Sequence, residues 1–351
     1  MEPKITNIKQ IFIDMSNIDW SSLPFGYFKT DCNVRCYYRD GKWGELEFTE
    51  SEEITMHMAA TCLHYGQAGF EGMKAFRGVD GKIRLFRPYE NAKRMHRTAE
   101  GIMMAPVPED LFVKACAEVV KRNERFVPPA GTGASLYLRP LLIGTGAEVG
   151  VRPAKEYLFL VFVGPVGPYF KEGFKPVKFQ IVEDFDRAAP LGTGTYKIGG
   201  NYAASLYSGT RAAKEGFSNC IYLDAKEKKY IDEAGAANFF GIKNNTYVTP
   251  HSSSILPSIT NMSLRQLAAD LGMKVEQRPV AVEELSTFEE VAACGTAAVI
   301  SPIGQIMDRG TGKVYDYGNE AGPVCKKLYE TLTGIQQGIV EDKHNWNLIV
   351  E

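Results

Sequence analysis

Residues 192–202 read GTGTYKIGGNY. One lysine, Lys197, stands between a Gly/Thr-rich approach and the Gly199–Gly200 pair, and Tyr202 follows five residues after the lysine. Glycine opens backbone conformations closed to other residues and lets a bound group approach the main chain closely. A lysine so placed is a candidate for a covalent link to a carbonyl cofactor. On these residues alone a surface lysine in a turn is the plainer reading. GTGTYK is not a P-loop, and no GxGxxG follows a strand anywhere in the chain, so nucleotide-binding motifs do not explain the glycines.

The chain has 351 residues, beyond the roughly 250–300 at which a single core stops growing, so two domains are expected. GPVGP opens at residue 164 and makes 165–176 the linker candidate, leaving a small α/β domain over 1–164 and a larger cofactor-binding domain over 177–351. Hydrophobic residues at 44% and charged residues at 23% are ordinary for a soluble globular protein. A formal net charge of −2 speaks against nucleic acid or an anionic membrane as partner. No apolar run nears the length of about 18 residues that spans a bilayer, and the N-terminus lacks the basic start and apolar centre of a signal peptide, so a cytoplasmic enzyme is expected. Seven cysteines, at 32, 36, 62, 116, 220, 294 and 325, are an odd and scattered set; they read as reduced thiols, mostly buried, with no metal site.

In the first half, an Asp40–Gly41 turn between β-formers predicts a hairpin over 34–48. Apolar spacing predicts a helix over 57–72, with Met58, Ala59, Cys62, Leu63 and Phe70 inward, a strand over 82–86, and helices from Pro88 and over 109–126. A strand over 135–143 has Tyr137 and Arg139 on one face, with Pro140 arguing for an edge or a bulge. Residues 157–163 read as a strand buried on both faces. In the second half, strands are expected over 177–182, 219–223, 229–232, 238–243 and 247–249, helices over 202–214, 261–271 and 322–337, and an apolar run over 291–303. This half is strand-rich and does not read as a doubly wound nucleotide fold.

Pyridoxal 5'-phosphate asks four things of a protein: a lysine for its aldehyde, a carboxylate for its ring nitrogen, a donor for its phenolate oxygen, and an arginine with a helix N-terminus for its phosphate. Glu233 in YIDEAGAANFF suits the nitrogen. LPSITN (256–261), just before a helix, turns the N–H groups of Ile259 and Thr260 toward an anion. Thr296 in CGTAA offers a hydroxyl to phosphate, or backbone N–H groups to a carboxylate. Each has a plainer reading: a solvated glutamate, a capped helix start, a bend in a strand.

Taken together, LHYGQAGFEGMKAFRG (63–78), RLFRPYENAKRM (84–95), LYLRPLLIG (136–144), GTYKIGGNYAASL (194–206), DEAGAANFFGI (232–242), ILPSIT (255–260) and CGTAAVISPIG (294–304) resemble the branched-chain amino acid aminotransferases over nearly the whole chain. These are fold-type IV pyridoxal phosphate enzymes, so the resemblance implies an α+β, two-domain, D-amino acid aminotransferase-like fold with a strand-rich pseudo-barrel in its C-terminal half. It implies reversible transfer of the amino group of L-leucine, L-isoleucine or L-valine to 2-oxoglutarate by a ping-pong cycle. Lys197 would be the Schiff-base lysine and the proton-moving base, Glu233 the partner of the ring nitrogen and Tyr202 that of the phenolate oxygen. Arg94, the arginine of NAKRM, would bind phosphate together with Ile259, Thr260 and Thr296. Thr296 and Ala297 would take the substrate α-carboxylate. Phe70, Tyr65, Tyr137 and Tyr169 would line the substrate pocket, with Arg139 for the side-chain carboxylate of glutamate. A homodimer is implied.

Two positions depart from the family pattern. Ala298 and Ser301 stand where some members carry a Cys-x-x-Cys pair, so no thiol switch is expected there, and Ala236 replaces a threonine found in some members beside the cofactor. The alternative is another fold-type IV activity, D-amino acid transamination or aminodeoxychorismate lyase-like chemistry.

Overall fold

Asp40 and Gly41 both adopt left-handed backbone (φ 52° and 78°), which turns β1 (Asn33–Arg39) tightly into β2 (Lys42–Trp43). The computed structural model describes residues 18–169 and 174–351; part of the N-terminal lead-in and part of the expected linker lie outside them. The hairpin's expected second strand is split, and β3 (Glu47–Thr49) also pairs with β1.

The helix expected over 57–72 is corrected. Only α1 (Thr61–Tyr65) is helical, and Gly66, left-handed at φ 65°, ends it. Residues 67–70 alternate buried and half-buried at a period of two, giving β4 (Ala68–Phe70), and β5 (Met73–Arg77) follows after Glu71–Gly72. Met58 and Leu63, expected inward, are 82% and 59% exposed. Next come β6 (Ile83–Phe86), α2 (Pro88–Gly101), α3 (Glu109–Arg122), β7 (Ser135–Gly144) and β8 (Tyr157–Val166). A C-terminal strand, Asn347–Val350, lies within the expected polar tail and pairs with β6. One sheet results, ordered C-terminal strand–β6–β5–β7–β8–β1–β2. Leu136, Leu138, Val161 and Val163 share a core with Met95 of α2 and with Phe112, Val119 and Val120 of α3. Tyr137, Arg139 and Phe162 are half-buried on the opposite face.

Pro140 sits inside this sheet rather than at its edge. β7 pairs with β5 through Leu136–Leu138 and with β4 through Leu141–Ile143. Pro140 faces the break between them, where its carbonyl accepts from Glu71 N at 2.8 Å. A proline lacks the N–H that an unbroken ladder would need, and here the neighbouring strand is interrupted at that position.

The second unit begins with β9 (Val177–Val182), reaches β10 (Asn219–Leu223) by way of α4 (Gly199–Lys214), and continues through β11 (Ile231–Ala234), β12 (Ala237–Lys243), β13 (Thr246–Pro250), α5 (Ile259–Asp270), β14 (Lys274–Arg278), β15 (Glu290–Gly295), β16 (Val299–Asp308), β17 (Val314–Asp316) and α6 (Pro323–Gln336). Its sheet runs β11–β10–β9–β16–β15–β12–β13–β14, and β11 also pairs with β12. That last pairing closes six strands into a barrel, which removes their free edges. Phe179, Ile181, Ile221, Phe239, Val291 and Ile306 belong to its core. The chain divides into two compact units, one comprising 1–171, 196–199 and 335–351, the other 172–195 and 200–334.

A buried polar chain docks α5 on this barrel. Asn261 donates to Asn238 Oδ1 (3.1 Å) and Thr249 Oγ1 (2.9 Å) and accepts from Tyr247 Oη (2.9 Å). Asn238 donates on to the Leu256 carbonyl at 3.0 Å. Replacing Asn261 by alanine strands several of these groups at about 1–3 kcal/mol each when buried and unpaired. Urea denaturation of Asn261→Ala is expected to show a loss of roughly 2–4 kcal/mol with an unchanged m-value.

Candidate active site

Lys197 belongs to the first unit and is fixed there by its backbone. Its N–H donates to Thr98 Oγ1 of α2 (3.0 Å), its carbonyl accepts from Phe70 N of β4 (3.0 Å), and Ile198 bridges to Gly69. Neighbouring Tyr196 packs on Gly101, where a Cβ would lie 2.4 Å from the ring. The lysine is thus strapped to a strand and a helix, not carried by a free loop. Its Nζ lies over the Phe70 ring, 4.9 Å from the centroid.

The same ring carries a second cation. The Arg139 guanidinium stands 5.1 Å from the Phe70 centroid and 5.3 Å from that of Tyr137, and donates to Tyr137 Oη at 3.1 Å. Arg139 Nε is buried with no hydrogen-bond partner. Tyr137 and Arg139 border a cavity of about 240 Å³ shared with Phe25, Tyr27 and Phe162. Lys74, opposite Tyr137 in the β5–β7 ladder, shares this face, and desolvation lowers its ammonium to a pKa of about 8.

Arg94 is buried on α2 with its Nε and Nη2 in a fork on Glu71, both at 2.7 Å; Asn91 Nδ2 donates to the same carboxylate at 2.8 Å. Glu71 is 0% exposed, and such a carboxylate remains buried only with charged and hydrogen-bonded partners of this kind. Glu71 therefore sets the direction in which Arg94 points.

In the second unit Glu233 sits on β11 at 3% exposure and accepts from Leu256 N at 2.8 Å. Tyr202, Asn201 and Ser205 of α4 line a narrow cleft with Glu233, Ala236, Leu256 and Arg187. Arg187 Nη2 lies 3.4 Å from Glu233 Oε1. α5 begins two residues earlier than expected, at Ile259, and Ser258 caps it by accepting from Asn261 N at 3.2 Å. Helix geometry gives the Ile259 and Thr260 N–H groups no intrahelical acceptor, as an anion site at a helix start requires. Thr296 and Ala297 are half-buried in the turn between β15 and β16, and Val299 beyond them has φ 64°, a strained conformation for a β-branched residue.

The structure thus gathers Lys197, Phe70, Tyr137 and Arg139 in one unit, and Tyr202 and Glu233 in the other. Tyr65 donates instead to the Val149 carbonyl, and Tyr169 is largely exposed. Sequence reading missed Glu71, Arg187, Phe25 and Lys74. FEGMKAFRG contained the first and last, but a carboxylate engaged by an arginine 23 residues away has no local signature. Burial pushes the Cys294 thiol well above its ordinary value.

Residues 68–306 match the family model described as amino-transferase class IV, and the chain belongs to that family. A branched-chain-amino-acid aminotransferase of Haemophilus influenzae is 51% identical over 344 residues, covering 96% of this chain and 100% of its own. One from Helicobacter pylori is 48% identical, covering 95% and 98%. The solved T.th. branched-chain amino acid aminotransferase with pyridoxamine 5'-phosphate superposes with a TM-score of 0.77 at 26% identity, covering 92% of this chain and 100% of that one. The Escherichia coli enzyme gives 0.72 at 28%, covering 91% and 100%. Within the class the chain therefore groups with the branched-chain amino acid aminotransferases, which makes it a pyridoxal phosphate-dependent aminotransferase of the fold expected from sequence. The residues present fit that cofactor: a lysine fixed by its backbone, a buried carboxylate, a buried arginine and a capped helix start.

The glycine approach to Lys197 is tight at one position. A Cβ on Gly194 would stand 2.2 Å from the Ser254 carbonyl oxygen, whereas one on Gly209, within α4, meets nothing within 4 Å. Gly194→Ala is expected to lower the melting temperature and weaken pyridoxal phosphate binding at least tenfold. Gly209→Ala is expected to stabilise by about 0.5–1 kcal/mol, as glycine removal from a helix interior does. Thermal melts and cofactor titration of the two variants side by side check both.

Proposed function

We propose that the chain catalyses reversible transfer of the amino group of L-leucine, L-isoleucine or L-valine to 2-oxoglutarate, in two half-reactions at one site. The observation that carries this reading is the Phe70 ring, with Lys197 Nζ at 4.9 Å and the Arg139 guanidinium at 5.1 Å from its centroid. A substrate with its α-carbon at Lys197 lays its side chain along Phe70 and ends at Arg139. A branched aliphatic chain finds aromatic surface and the weakly hydrated face of a guanidinium; a glutamate side chain finds the unpaired Nε donor.

In this reading pyridoxal phosphate, when bound, supplies the electron sink for the charge left on the substrate α-carbon. Lys197 holds the cofactor between turnovers and moves the α-proton as its free amine. Glu233 faces the ring nitrogen and Tyr202 the phenolate oxygen. Arg94, the Ile259 and Thr260 N–H groups and Thr296 hold the phosphate, and Thr296 with Ala297 receives the α-carboxylate. Tyr65 and Tyr169 remain pocket residues by resemblance alone.

The protein is further read as a cytoplasmic homodimer. In the first unit Tyr37, Ile54, Met56, Leu141 and Phe162 are only partly buried around Ile143, Leu158 and Leu160, and Val149 and Val151 are exposed, a surface suited to a second copy. Sedimentation equilibrium is expected to return twice the chain mass of 38.9 kDa, and Val149→Asp with Val151→Asp to shift it toward the monomer.

Arg139→Met is expected to raise KM for L-glutamate at least tenfold and to change KM for L-leucine by less than about threefold. Equal losses for both, or turnover of D-alanine in place of L-leucine, overturn the reading. Borohydride reduction of the holoenzyme is expected to label Lys197, and Lys197→Ala to lower kcat by at least the ~10²–10⁴-fold typical of a positioned acid–base group.

A further inference from the structure

Arg187 lies outside the motifs that identified this chain, yet its side chain is only 9% exposed. Its Nη2 lies 3.4 Å from Glu233 Oε1 and donates to the carbonyls of Gly194, at 3.4 Å, and Ser254. These three partners belong to different segments: β11, the glycine approach to Lys197, and the loop that leads into α5. The close contact of Gly194 with Ser254 leaves room for no side chain between the two segments at that point. A single cation therefore fastens three segments around one buried carboxylate.

We propose that Arg187 is a positioning residue for Glu233: it fixes the carboxylate's place and, through its own charge, sets the proton affinity of the cofactor that Glu233 faces. The proposal rests on the reading that Glu233 addresses the ring nitrogen. Two consequences follow from the geometry. The guanidinium sets a positive charge 3.4 Å from a buried carboxylate, and an opposite charge at that range offsets the cost of burying it. It also offsets part of the negative field that the carboxylate exerts on protonatable atoms of the ring and its lysine link. The other ionisable groups nearby include the Cys294 thiol, which burial pushes up and the Glu233 charge pushes up further. Asp232 accepts from the Ser252 and Ser254 hydroxyls, Asp186 is paired with Lys228, and Tyr202 lines the same cleft. Burial raises Tyr222 above its ordinary value while Arg187 acts in the opposite direction.

The test uses the reconstituted holoenzyme of the wild type, Arg187→Gln, Arg187→Lys and Glu233→Gln. Three quantities are read: the pH midpoint of the cofactor's visible absorption band, the Kd for pyridoxal phosphate, and the melting temperature of each apo form. Removing a positive charge makes proton binding easier, so Arg187→Gln is expected to raise the midpoint by about one pH unit, the scale of one charge a few ångströms away in a partly buried site. Glu233→Gln is expected to lower it. Arg187→Lys keeps the charge but not the reach, so its midpoint stays near wild type while Kd rises at least fivefold. A purely structural role would change melting temperature and leave the midpoint of Arg187→Gln where it was. That result, with Glu233→Gln still shifted, overturns the proposal and spares the reading of Glu233. An unmoved midpoint and Kd in Glu233→Gln overturn that reading, and the proposal with it. If Arg187→Gln does not fold, Arg187→Lys decides: an unchanged Kd overturns the proposal.

Discussion

A carboxylate can be buried in a protein only if its lost hydration is replaced by donors and opposite charge, and two such carboxylates organise this chain. Glu71 is closed by a two-point fork from Arg94 and a third donor from Asn91. Glu233 takes the Leu256 N–H and lies beside the Arg187 guanidinium. In each case meeting the charge fixes something more: the direction of Arg94 in the first unit, and the mutual placement of β11, the glycine approach and the loop before α5 in the second. Leu256 continues the second network, since its carbonyl accepts from Asn238 and Asn238 meets Asn261. The helix start that suits an anion is thus connected to the carboxylate that suits a pyridine nitrogen by an unbroken line of buried hydrogen bonds.

The lysine is treated differently. No carboxylate is needed to place it, because its own peptide groups bond to β4 and α2. Its amine rests over an aromatic ring, 4.9 Å from the Phe70 centroid. Phe70 is shared with Arg139, so one aromatic ring carries an amine and a guanidinium.

Much of the fold was legible from local pattern. β9 and β10 have the boundaries read from sequence, because short apolar β-branched runs between polar turns have few alternatives. The error over 57–72 arose where alternation and helical spacing overlap: Cys62, Leu63 and Phe70 fit a helical stripe, but Gly66 stops the helix and Gly69 and Gly72 belong to strand and break. Pro140 reads as an edge or bulge signal. It lies within the sheet, and the interruption is in the neighbouring strand, which a single segment's sequence cannot reveal.

By itself the sequence determined the chemistry on offer. A lysine flanked by glycines, a glutamate at a strand end, an arginine in a helix and a Ser/Thr-rich helix start are residue types that answer the atoms of one cofactor, and their order along the chain places it among the class IV aminotransferases. Tertiary structure alone decided which charges are paired and what each pair holds in place. Arg187 and Glu233 are 46 positions apart, and Glu71 and Arg94 are 23 apart. Nothing local in the sequence links either pair. The link is made by burial, which raises the cost of an unmatched charge until the chain folds so as to match it.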